Sequence, residues 1–558
     1  MSESSFDVAP PKTPPISVSS ATTELNHTGS WKYIQPVYHD RVAPCSAGCP
    51  TGVDIQGYMT LLRENRVAQA SELLLRENPM PAITGRVCNH PCEEECNRSV
   101  FDGAVAIHAV ERMLGDVILQ SPLPKPVAIR HDERIAVIGS GPAGLACAYH
   151  LVRLGYAVEV FEQDDAAGGM LRVGIPEYRL PRVVLDRQIE RIAALGVSIH
   201  CRVRAGEDIS WTRLTTDFAA VFVASGAHIS KALQLDNASQ GGGVLAGLDF
   251  LRAVNRGQRP DLGRRVIVIG GGNTAMDCAR TALRLGSDVT VVYRRTRKEM
   301  PAIAEEVHDA EREGVDFVFL AAPSRLLSLS GHLTLICKRM KLGDRDAHGR
   351  HNPVDSGEPA FPIDADTIIT AIGEDTELPV LPAEIRDSHA RINEWGSSAI
   401  ANIFLGGDLA GDTRTVASAL GAGKRAALGI DRYLRSCRGE SFSEELIDTL
   451  SLGGVGALSM VRWTDTDPIK RVNPLNDVVT QDDINTSHFA RARRHNDHRT
   501  DGAQPFAETN AGITQVEALS EAARCFQCGV CNACELCRIY CGDAAISRDP
   551  RGGRFVID

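Results

Sequence analysis

The chain has 558 residues, of which 43% are hydrophobic, enough to fill the cores of three or four domains of ~100 to 200 residues each. Its formal net charge of -11 at pH 7 favours solubility and argues against a nucleic-acid-binding protein. The sequence has no charged-then-apolar leader and no apolar run near the ~20 residues of a membrane span, so we expect a cytoplasmic protein. In that compartment its 16 cysteines stay reduced, which predicts metal ligands or redox groups rather than disulfides.

The first predicted elements are a polar tail and a small helical domain. Residues 1–30 are rich in Ser, Thr and Pro, and we expect them to be disordered. Residues 31–120 place apolar residues at helical spacing, which predicts helices. This domain contains Cys45, Cys49, Cys88, Cys92 and Cys96. Their tight spacing and the lack of paired histidines favour an iron-sulfur cluster over a zinc finger, and four thiolates are needed for each cluster.

From residue 134 to about residue 440, short Val/Ile-rich runs alternate with helical segments, a pattern typical of α/β folds with parallel sheets. The stretch RIAVIGSGPAGLACAYHLVRLGYAVEVFEQ predicts a strand, a glycine turn, a helix and a second strand. Gly139, Gly141 and Gly144 occupy the GxGxxG positions of a dinucleotide-binding turn. Glu162 ends the second strand, where a carboxylate can accept hydrogen bonds from ribose hydroxyls.

The stretch RRVIVIGGGNTAMDCARTALRLGSDVTVVYRRT repeats this plan, with Gly270, Gly272 and Ala275 at the three positions. Arg294 and Arg295 end its second strand in place of an acid. Guanidinium groups there would accommodate a 2'-phosphate, which favours NADP(H) over NAD(H). The alternative is that both arginines are merely exposed.

A further strand ends near Asp408 and is followed by a helix entered near Thr415. Asp408 could hold flavin ribityl hydroxyls, and the helix N-terminus could stabilise negative charge on a reduced flavin. The predicted fold is therefore α/β with two Rossmann-like domains. The FAD domain is discontinuous and consists of residues 131–245 and 360–440. The NAD(P)H domain, residues 246–359, is inserted between these two parts. Residues 441–512 form a linker.

The last segment, residues 513–558, carries the run RCFQCGVCNACELCRIYCGDAAI. Cys531, Cys534, Cys537 and Cys541 fit the C-x2-C-x2-C-x3-C pattern of ferredoxins, although Gly542 stands where ferredoxins usually have Pro. Cys525 and Cys528 extend the run at the same spacing. A zinc ion would leave two of the six thiols over, so the run favours an iron-sulfur site in a small ferredoxin-like segment.

As an ordered set, the motifs resemble the small (beta) subunit of NADPH-dependent glutamate synthase and its relatives, over about residues 35–440. The quoted motifs include APCSAGCP, GRVCNHPCEEEC, GGMLRVGIPEYRLP, GGGNTAMDCA, TAIGEDTEL and LGGDLAGDTRTVASALGAGKRAA. The resemblance implies FAD at the first turn, NAD(P)H at the second, and electrons that leave through [4Fe-4S] clusters. It also puts Gly169, Arg172 and Asn273 among the cofactor-binding residues, and it assigns no catalytic side chain.

The family has two more cysteines upstream, where this chain has Val37 and Asp40. By resemblance, one cluster would use Cys49, Cys88 and Cys92, with Glu111 as a carboxylate ligand. Glu111 could instead be a solvated helix residue, and Cys45 and Cys96 could complete the set. Eleven cysteines suffice for two all-cysteine clusters, or for three if one ligand is not cysteine. Cys525 and Cys528 could serve a second cluster with help from elsewhere, another chain included.

Together these features predict a flavin-based oxidoreductase that passes electrons between NAD(P)H and an iron-sulfur partner in a hetero-oligomeric complex. The C-terminal cysteine run suggests the NADP-linked subunit of a 2-oxoacid:ferredoxin oxidoreductase. A glutamate synthase small subunit is the alternative from a different enzyme class. A docking subunit without redox function is a third hypothesis, and the intact glycine turns and cysteine runs argue against it.

Overall fold

The computed structural model describes residues 41–558, except for 234–242, 330–331, 347–348, 378–380, 387–391, 412, 441, 443–446, 448, 454–455, 465–476, 485, 487–488, 501–504, 530–535, 540, 542–544, 549–554 and 558. The predicted tail and the positions of Val37 and Asp40 lie outside the described residues, as do Cys531, Cys534 and Gly542. No helix in the described part of the chain is long and apolar enough to cross a membrane.

The N-terminal domain is helical, as predicted. Its helices are Pro44–Ala47, Ile55–Arg63, Val67–Glu77, Pro81–Val87, Pro91–Glu94, Ser99–Asp102 and Ile107–Gln120. Apolar residues at helical spacing, such as Tyr58, Leu74 and Leu114, form its core. The helix Gln515–Arg524 packs into this same core through Ala518 and Ala522. The start of the predicted ferredoxin-like segment is therefore part of the N-terminal domain.

The first sheet is parallel, and its strands lie in the spatial order Ile403–Leu405, Ala220–Val223, Arg134–Ile138, Ala157–Glu162 and Ser198–Cys201. The helices of this unit are Pro142–Leu154, Met170–Val173, Arg182–Ala194, Trp211–Asp217 and Val416–Cys437. We call Val416–Cys437 the long helix. It packs closely on Pro142–Leu154, because Gly423 lies against the backbone of Ala143. Strand Ile403–Leu405 completes the sheet from a distant part of the sequence, so this unit is discontinuous.

The second sheet is also parallel, in the order Val244–Ala246, Thr367–Thr370, Arg265–Ile269, Asp288–Tyr293 and Asp316–Phe319. Its helices are Gly247–Asn255, Asn273–Arg284 and Ala304–Glu313, and the antiparallel strands Ala321–Leu329, His332–Arg345, His351–Asp355 and Phe361–Ala365 follow. The strands at 244–246 and 367–370 extend this unit beyond the range 246–359. The α/β fold with two Rossmann-like units is confirmed.

The remaining elements are short. They are the helices Ala383–Arg386, Met460–Thr464 and Leu536–Ile539, the 3-10 turns Arg297–Glu299, Gly407–Leu409 and Gln481–Asp483, and the paired strands Ile229–Ser230 with Glu374–Asp375, His498–Arg499 with Asn510–Gly512, and Ile546–Arg548 with Phe555–Ile557. The pair of Ile229–Ser230 with Glu374–Asp375 joins the segments that connect the two Rossmann-like units.

Candidate cofactor sites

The first glycine turn has one glycine that faces open space. Gly139 has φ of 96° and Gly144 lies against the Gly139 carbonyl oxygen, so a side chain at either position would be strained or collide. A Cβ on Gly141, in contrast, would meet no atom within 4 Å. Gly141 precedes the helix Pro142–Leu154, whose first N–H groups are free to bind an anion. The open space at Gly141 therefore fits a pyrophosphate.

Glu162 lies at the end of the neighbouring strand and is 5% exposed. Its Oε2 accepts hydrogen bonds from the backbone N–H of Ser140 at 2.9 Å and from the Ser140 hydroxyl, and its Oε1 accepts from the Asp164 N–H at 2.9 Å. A carboxylate has about four acceptor positions, so the group can be held in place and still accept a bond from a ribose hydroxyl.

The glycine turn and the start of the long helix line one cleft, with a free volume of about 230 Å³. Gly169 borders it beside Gly141, while Asp408 and Thr415 border it from the other side. The Thr415 hydroxyl accepts a hydrogen bond from the Ser418 N–H at 3.1 Å and so caps the long helix at its N-terminus. Segments more than 200 residues apart in the sequence thus line one cleft.

Two predicted residues of this site differ in their surroundings. Burial raises the pKa of Asp408 to about 6, and the nearby Arg414 opposes that rise. Arg172 is absent from the described lining of the cleft: its Nε donates to the Ala167 carbonyl at 2.6 Å, and its guanidinium pairs with Asp186. Asp408 is therefore placed to contact a cofactor, whereas Arg172 stabilises the loop around Gly168.

The second glycine turn repeats the geometry of the first. Gly270 has φ of 148° and lies against the Ala371 carbonyl, whereas a Cβ on Gly272 would meet no atom within 4 Å. Ala275 stands at the third position and is fully buried. Asn273 uses its Oδ1 to accept a hydrogen bond from the Ile303 N–H at 2.9 Å. Gly272 therefore leaves room for a second pyrophosphate at the N-terminus of the helix Asn273–Arg284.

The two arginines after this turn do not share one environment. Arg294 is exposed at the end of the strand. Arg295 is buried, its Nε donates to the His351 carbonyl at 2.6 Å, and its guanidinium lies 3.7 Å from an Asp346 carboxylate oxygen. Arg294 is thus available to a 2'-phosphate, while Arg295 is held by the protein.

A second cleft, of about 140 Å³, joins three parts of the molecule. Thr415 from the long helix, Asn273 from the second turn and Asn89 from the loop after Cys88 all line it. Thr274 of the second turn also lines the cleft at the first turn. Both dinucleotide sites and one cysteine loop therefore meet around the N-terminus of the long helix.

The N-terminal cysteines form two groups rather than one. The first group is Cys49, Cys88, Cys92 and Glu111. Cys49 and Cys92 lie in the same buried cluster. Burial is the main cause that raises the pKa of the Cys92 thiol, and the negative charges of Cys49, Glu93, Cys88 and Glu111 raise it further. The Cys88 sulfur also accepts a hydrogen bond from the His90 N–H at 3.2 Å. Three thiols and a carboxylate are a donor set that fits an iron-sulfur cluster.

Glu111 is buried rather than solvated. Its Oε1 accepts hydrogen bonds from Asn78 Nδ2 at 3.0 Å and from the Thr84 hydroxyl, and burial raises its pKa to about 7. Within the described part of the chain, no hydrogen bond to Oε2 is found. One carboxylate oxygen is therefore positioned by the protein and the other is left for a ligand.

The comparison with protein families covers most of these sites. The model of the pyridine nucleotide-disulphide oxidoreductase family matches residues 133–425, more than half of the chain. The chain belongs to this family. A second model, described as dihydropyrimidine dehydrogenase domain II with a 4Fe-4S cluster, matches residues 38–122.

The relatives of this oxidoreductase include redox-enzyme subunits. It is 38% identical over 429 residues to the beta subunit of the NADP(+)-dependent formate dehydrogenase of Moorella thermoacetica, over 70% of this chain and 60% of that one. It is 34% identical over 523 residues to the beta subunit of the NADPH-Fe(3+) oxidoreductase of Geobacter sulfurreducens, a match that covers 87% of this chain and 75% of that one. It is 33% identical over 419 residues to the glutamate synthase [NADPH] small chain of Azospirillum brasilense, a match that covers 70% of this chain and 86% of that one.

These matches confirm the predicted resemblance and the class of enzyme, an FAD-dependent NAD(P)H oxidoreductase that transfers electrons through iron-sulfur centres. They also confirm FAD, NADP(H) and a [4Fe-4S] cluster as the kinds of cofactor. The number of clusters stays a prediction, as do the residues that bind each cofactor.

The second group of cysteines in this oxidoreductase comes from both ends of the chain. Cys45 and Cys96 line a pocket together with Cys525 and Cys528. The sequence predicted each pair as a candidate ligand set but not that they meet. One signal was present: Val37 and Asp40 are separated by two residues, and so are Cys525 and Cys528. Of the remaining cysteines of the run, Cys537 lies on the helix Leu536–Ile539 and Cys541 is half-buried.

Proposed function

We propose that this chain is the NAD(P)H-linked flavin subunit of a cytoplasmic hetero-oligomeric enzyme, and that it exchanges single electrons with an iron-sulfur partner protein. One observation carries the proposal: the clefts at the two glycine turns and the Cys88 loop meet around Thr415. The nicotinamide nucleotide that donates an electron pair, the flavin that accepts it and the cluster that accepts single electrons would then lie side by side.

Specific residues would hold the two dinucleotides. Gly141 and Gly272 leave room for the two pyrophosphates, and the helices that follow them direct N–H groups toward the negative charge. Glu162 would accept from the flavin ribose, Asp408 from the ribityl chain, and Arg294 would donate to the 2'-phosphate of NADPH. When bound, FAD takes electrons in pairs and releases them singly, and each iron-sulfur cluster takes one.

The cysteine domain is fixed against the flavin side of this arrangement. Gly421 of the long helix lies against the carbonyl of Pro50, the residue after Cys49, and any side chain at 421 would collide with it. The same helix begins at the cleft of the first glycine turn. A single rigid element therefore spans from the proposed flavin site to the proposed cluster ligands Cys49, Cys88, Cys92 and Glu111.

The partner is proposed to be an iron-sulfur catalytic subunit, with a 2-oxoacid:ferredoxin oxidoreductase as the first candidate. The relatives from Moorella and Geobacter are beta subunits, which supports a hetero-oligomeric assembly. A glutamate synthase small chain is the second candidate, because the chain spans 86% of the Azospirillum small chain. Glutamate formation from 2-oxoglutarate and glutamine with a large subunit separates the two candidates.

Anaerobic reduction of the purified full chain tests the shared part of the proposal. NADPH should bleach the flavin absorbance band and produce the EPR signal of a reduced cluster in the same sample. Cys88→Ser should keep the bleaching and lose the signal of one cluster. A colourless protein, or a flavin that NADPH reduces without any cluster signal in the unmodified chain, would contradict electron transfer to clusters.

A further inference from the structure

Cysteines from the two ends of the chain line a single pocket: Cys45 and Cys96 from the N-terminal domain, Cys525 and Cys528 from the segment after the helix Gln515–Arg524. We propose that these four thiols bind a [4Fe-4S] cluster of their own. Such a cluster takes four thiolates, and this pocket offers that number from a chain whose N-terminal domain matches a 4Fe-4S family.

The four thiols lie in one small region of the molecule. Cys45, Cys96 and Cys525 pack against the same buried hydrophobic cluster, and Cys528 lines the same pocket as these three. Bound iron would supply the positive charge that stabilises thiolates in such a buried setting.

Hydrogen-bond donors already point at two of these sulfurs. Asn97 Nδ2 lies 3.6 Å from the Cys528 sulfur, and the Gln527 N–H donates to the Cys525 sulfur at 3.4 Å. Gln527 has φ of 57°, a left-handed conformation that non-glycine residues adopt rarely. N–H groups directed at cysteine sulfurs stabilise thiolates and tune the potential of a cluster.

Buried polar contacts hold the C-terminal pair in this position. Arg524 is 3% exposed and its guanidinium donates to the Gly103 carbonyl at 2.7 Å, while the Arg524 carbonyl accepts from Arg98. Glu521 is fully buried and accepts from the Ala106 N–H at 2.9 Å. These contacts fix the C-terminal pair of cysteines against the N-terminal domain, and all four thiols of the pocket come from this chain.

A backbone contact fixes the turn after Cys528 against residue 41. The Arg41 N–H donates to the Gly529 carbonyl at 2.9 Å, and Gly529, with φ of 89°, lies so close to the Arg41 carbonyl that a side chain would collide. The turn after Cys528 is therefore fixed directly before the Cys45 helix.

The sequence explains why two ligands of this proposed cluster come from the C-terminal segment. The family ligands missing at Val37 and Asp40 would be spaced C-x2-C, and Cys525 and Cys528 have that spacing. The assignment also divides the eleven cysteines of the two runs without remainder. Three of them join Glu111, four form the pocket described here, and Cys531, Cys534, Cys537 and Cys541 keep a complete C-x2-C-x2-C-x3-C run.

Metal analysis of matched variants of the full chain, purified anaerobically, tests this assignment. Cys45→Ser and Cys528→Ser should each lose about four irons per FAD and the same EPR signal, and the double variant should lose no more than either single. Cys437→Ser, at an exposed cysteine outside both groups, should keep all its iron. Loss of different signals in the two single variants, additive loss of about eight irons, or zinc in place of iron would overturn the proposal.

A second measurement uses the unmodified chain and does not depend on how the variants fold. Iron is removed stepwise with a chelator, exposed thiols are alkylated, and the peptides are identified by mass spectrometry. Cys45, Cys96, Cys525 and Cys528 should become reactive together; alkylation of Cys525 and Cys528 while Cys45 stays protected would refute a shared cluster. Bleaching of the flavin by NADPH is recorded on the same sample. If the flavin is bleached while the four thiols react separately, the shared cluster is refuted and the proposed function is not.

Discussion

Lys424 Nζ lies 2.6 Å from Glu77 Oε2, and both side chains are at most 2% exposed. Lys424 belongs to the long helix and Glu77 to the N-terminal domain, and Lys424 also donates to the Thr51 carbonyl. Glu77 in turn accepts from the Ser459 hydroxyl at 2.7 Å. This ion pair joins the proposed flavin unit, the Cys49 loop and the segment after residue 450.

Lys424→Met should destabilise the protein by about 3–5 kcal/mol, because it leaves the Glu77 carboxylate buried without a cation. The double variant Glu77→Gln with Lys424→Met should recover much of that loss. Chemical denaturation followed by fluorescence measures both. Arg264→Met removes the cation of the exposed pair of Arg264 with Asp288. This variant is the control and should hardly change the denaturant concentration at the midpoint of unfolding. A similarly small effect of Lys424→Met would contradict the role given to the pair.

Gly141→Ala should weaken FAD binding without unfolding the chain, since the added methyl meets no protein atom and would occupy space assigned to the pyrophosphate. Overpacking of about 1–3 kcal/mol corresponds to a roughly 5- to 150-fold weaker affinity. The ratio of flavin to protein absorbance reports the loss. Gly272→Ala is the matched control and should weaken NADPH while flavin content stays normal. If both variants lose flavin equally, the two turns do not have separate ligands.

Arg294→Ala should raise the KM for NADPH about tenfold and leave that for NADH nearly unchanged, since an exposed guanidinium at this strand end would contact only the 2'-phosphate. Arg295→Ala should instead lower thermal stability, because Arg295 is buried and bound to the His351 carbonyl. Steady-state kinetics with both nucleotides and thermal unfolding measure the two effects. Equal loss for NADPH and NADH in Arg294→Ala would exclude the 2'-phosphate role.

Glu111→Ala should lose up to about four irons per FAD, whereas Glu111→Gln should keep its iron with a shifted midpoint potential, because an amide oxygen can replace the carboxylate ligand. Iron analysis and an EPR-monitored redox titration distinguish these results. Glu111→Gln also keeps an acceptor for Asn78 and Thr84, so it controls for the fold. Full iron content and an unchanged potential in Glu111→Ala would show that Glu111 is no ligand.

Asp408 gives a pH-dependent prediction for the flavin-stripped protein. Its pKa is raised from 3.8 to about 6, so its protonated form favours folding, and this contribution is lost as the pH rises through about 6. Asp408→Asn should then be more stable than the unmodified chain by up to about 3 kcal/mol near pH 8, and by about half of that near pH 5. Denaturation across this range measures the difference. A difference that does not change with pH would contradict the raised pKa.

The sequence predicts those parts of the sites that lie within one strand-turn-helix unit. Gly141 and Glu162 are 21 positions apart, and local spacing fixes their relative placement. Arg294 and Arg295 could not be distinguished, because both follow the strand Asp288–Tyr293 and only tertiary packing decides which of the two is covered. The meeting of Cys45 with Cys528 depends on contacts such as Arg98 with Arg524, which no local pattern encodes.

The pocket that unites Cys45 with Cys528 has a consequence for how the protein is made in the cell. About 480 residues separate these positions, and at ~5–20 residues per second their synthesis takes about half a minute to a minute and a half. During that interval Cys45 and Cys96 are on the nascent chain without the second pair of thiols. Metal insertion at this pocket must therefore wait for the end of translation, and a polypeptide truncated before residue 525 can never complete it.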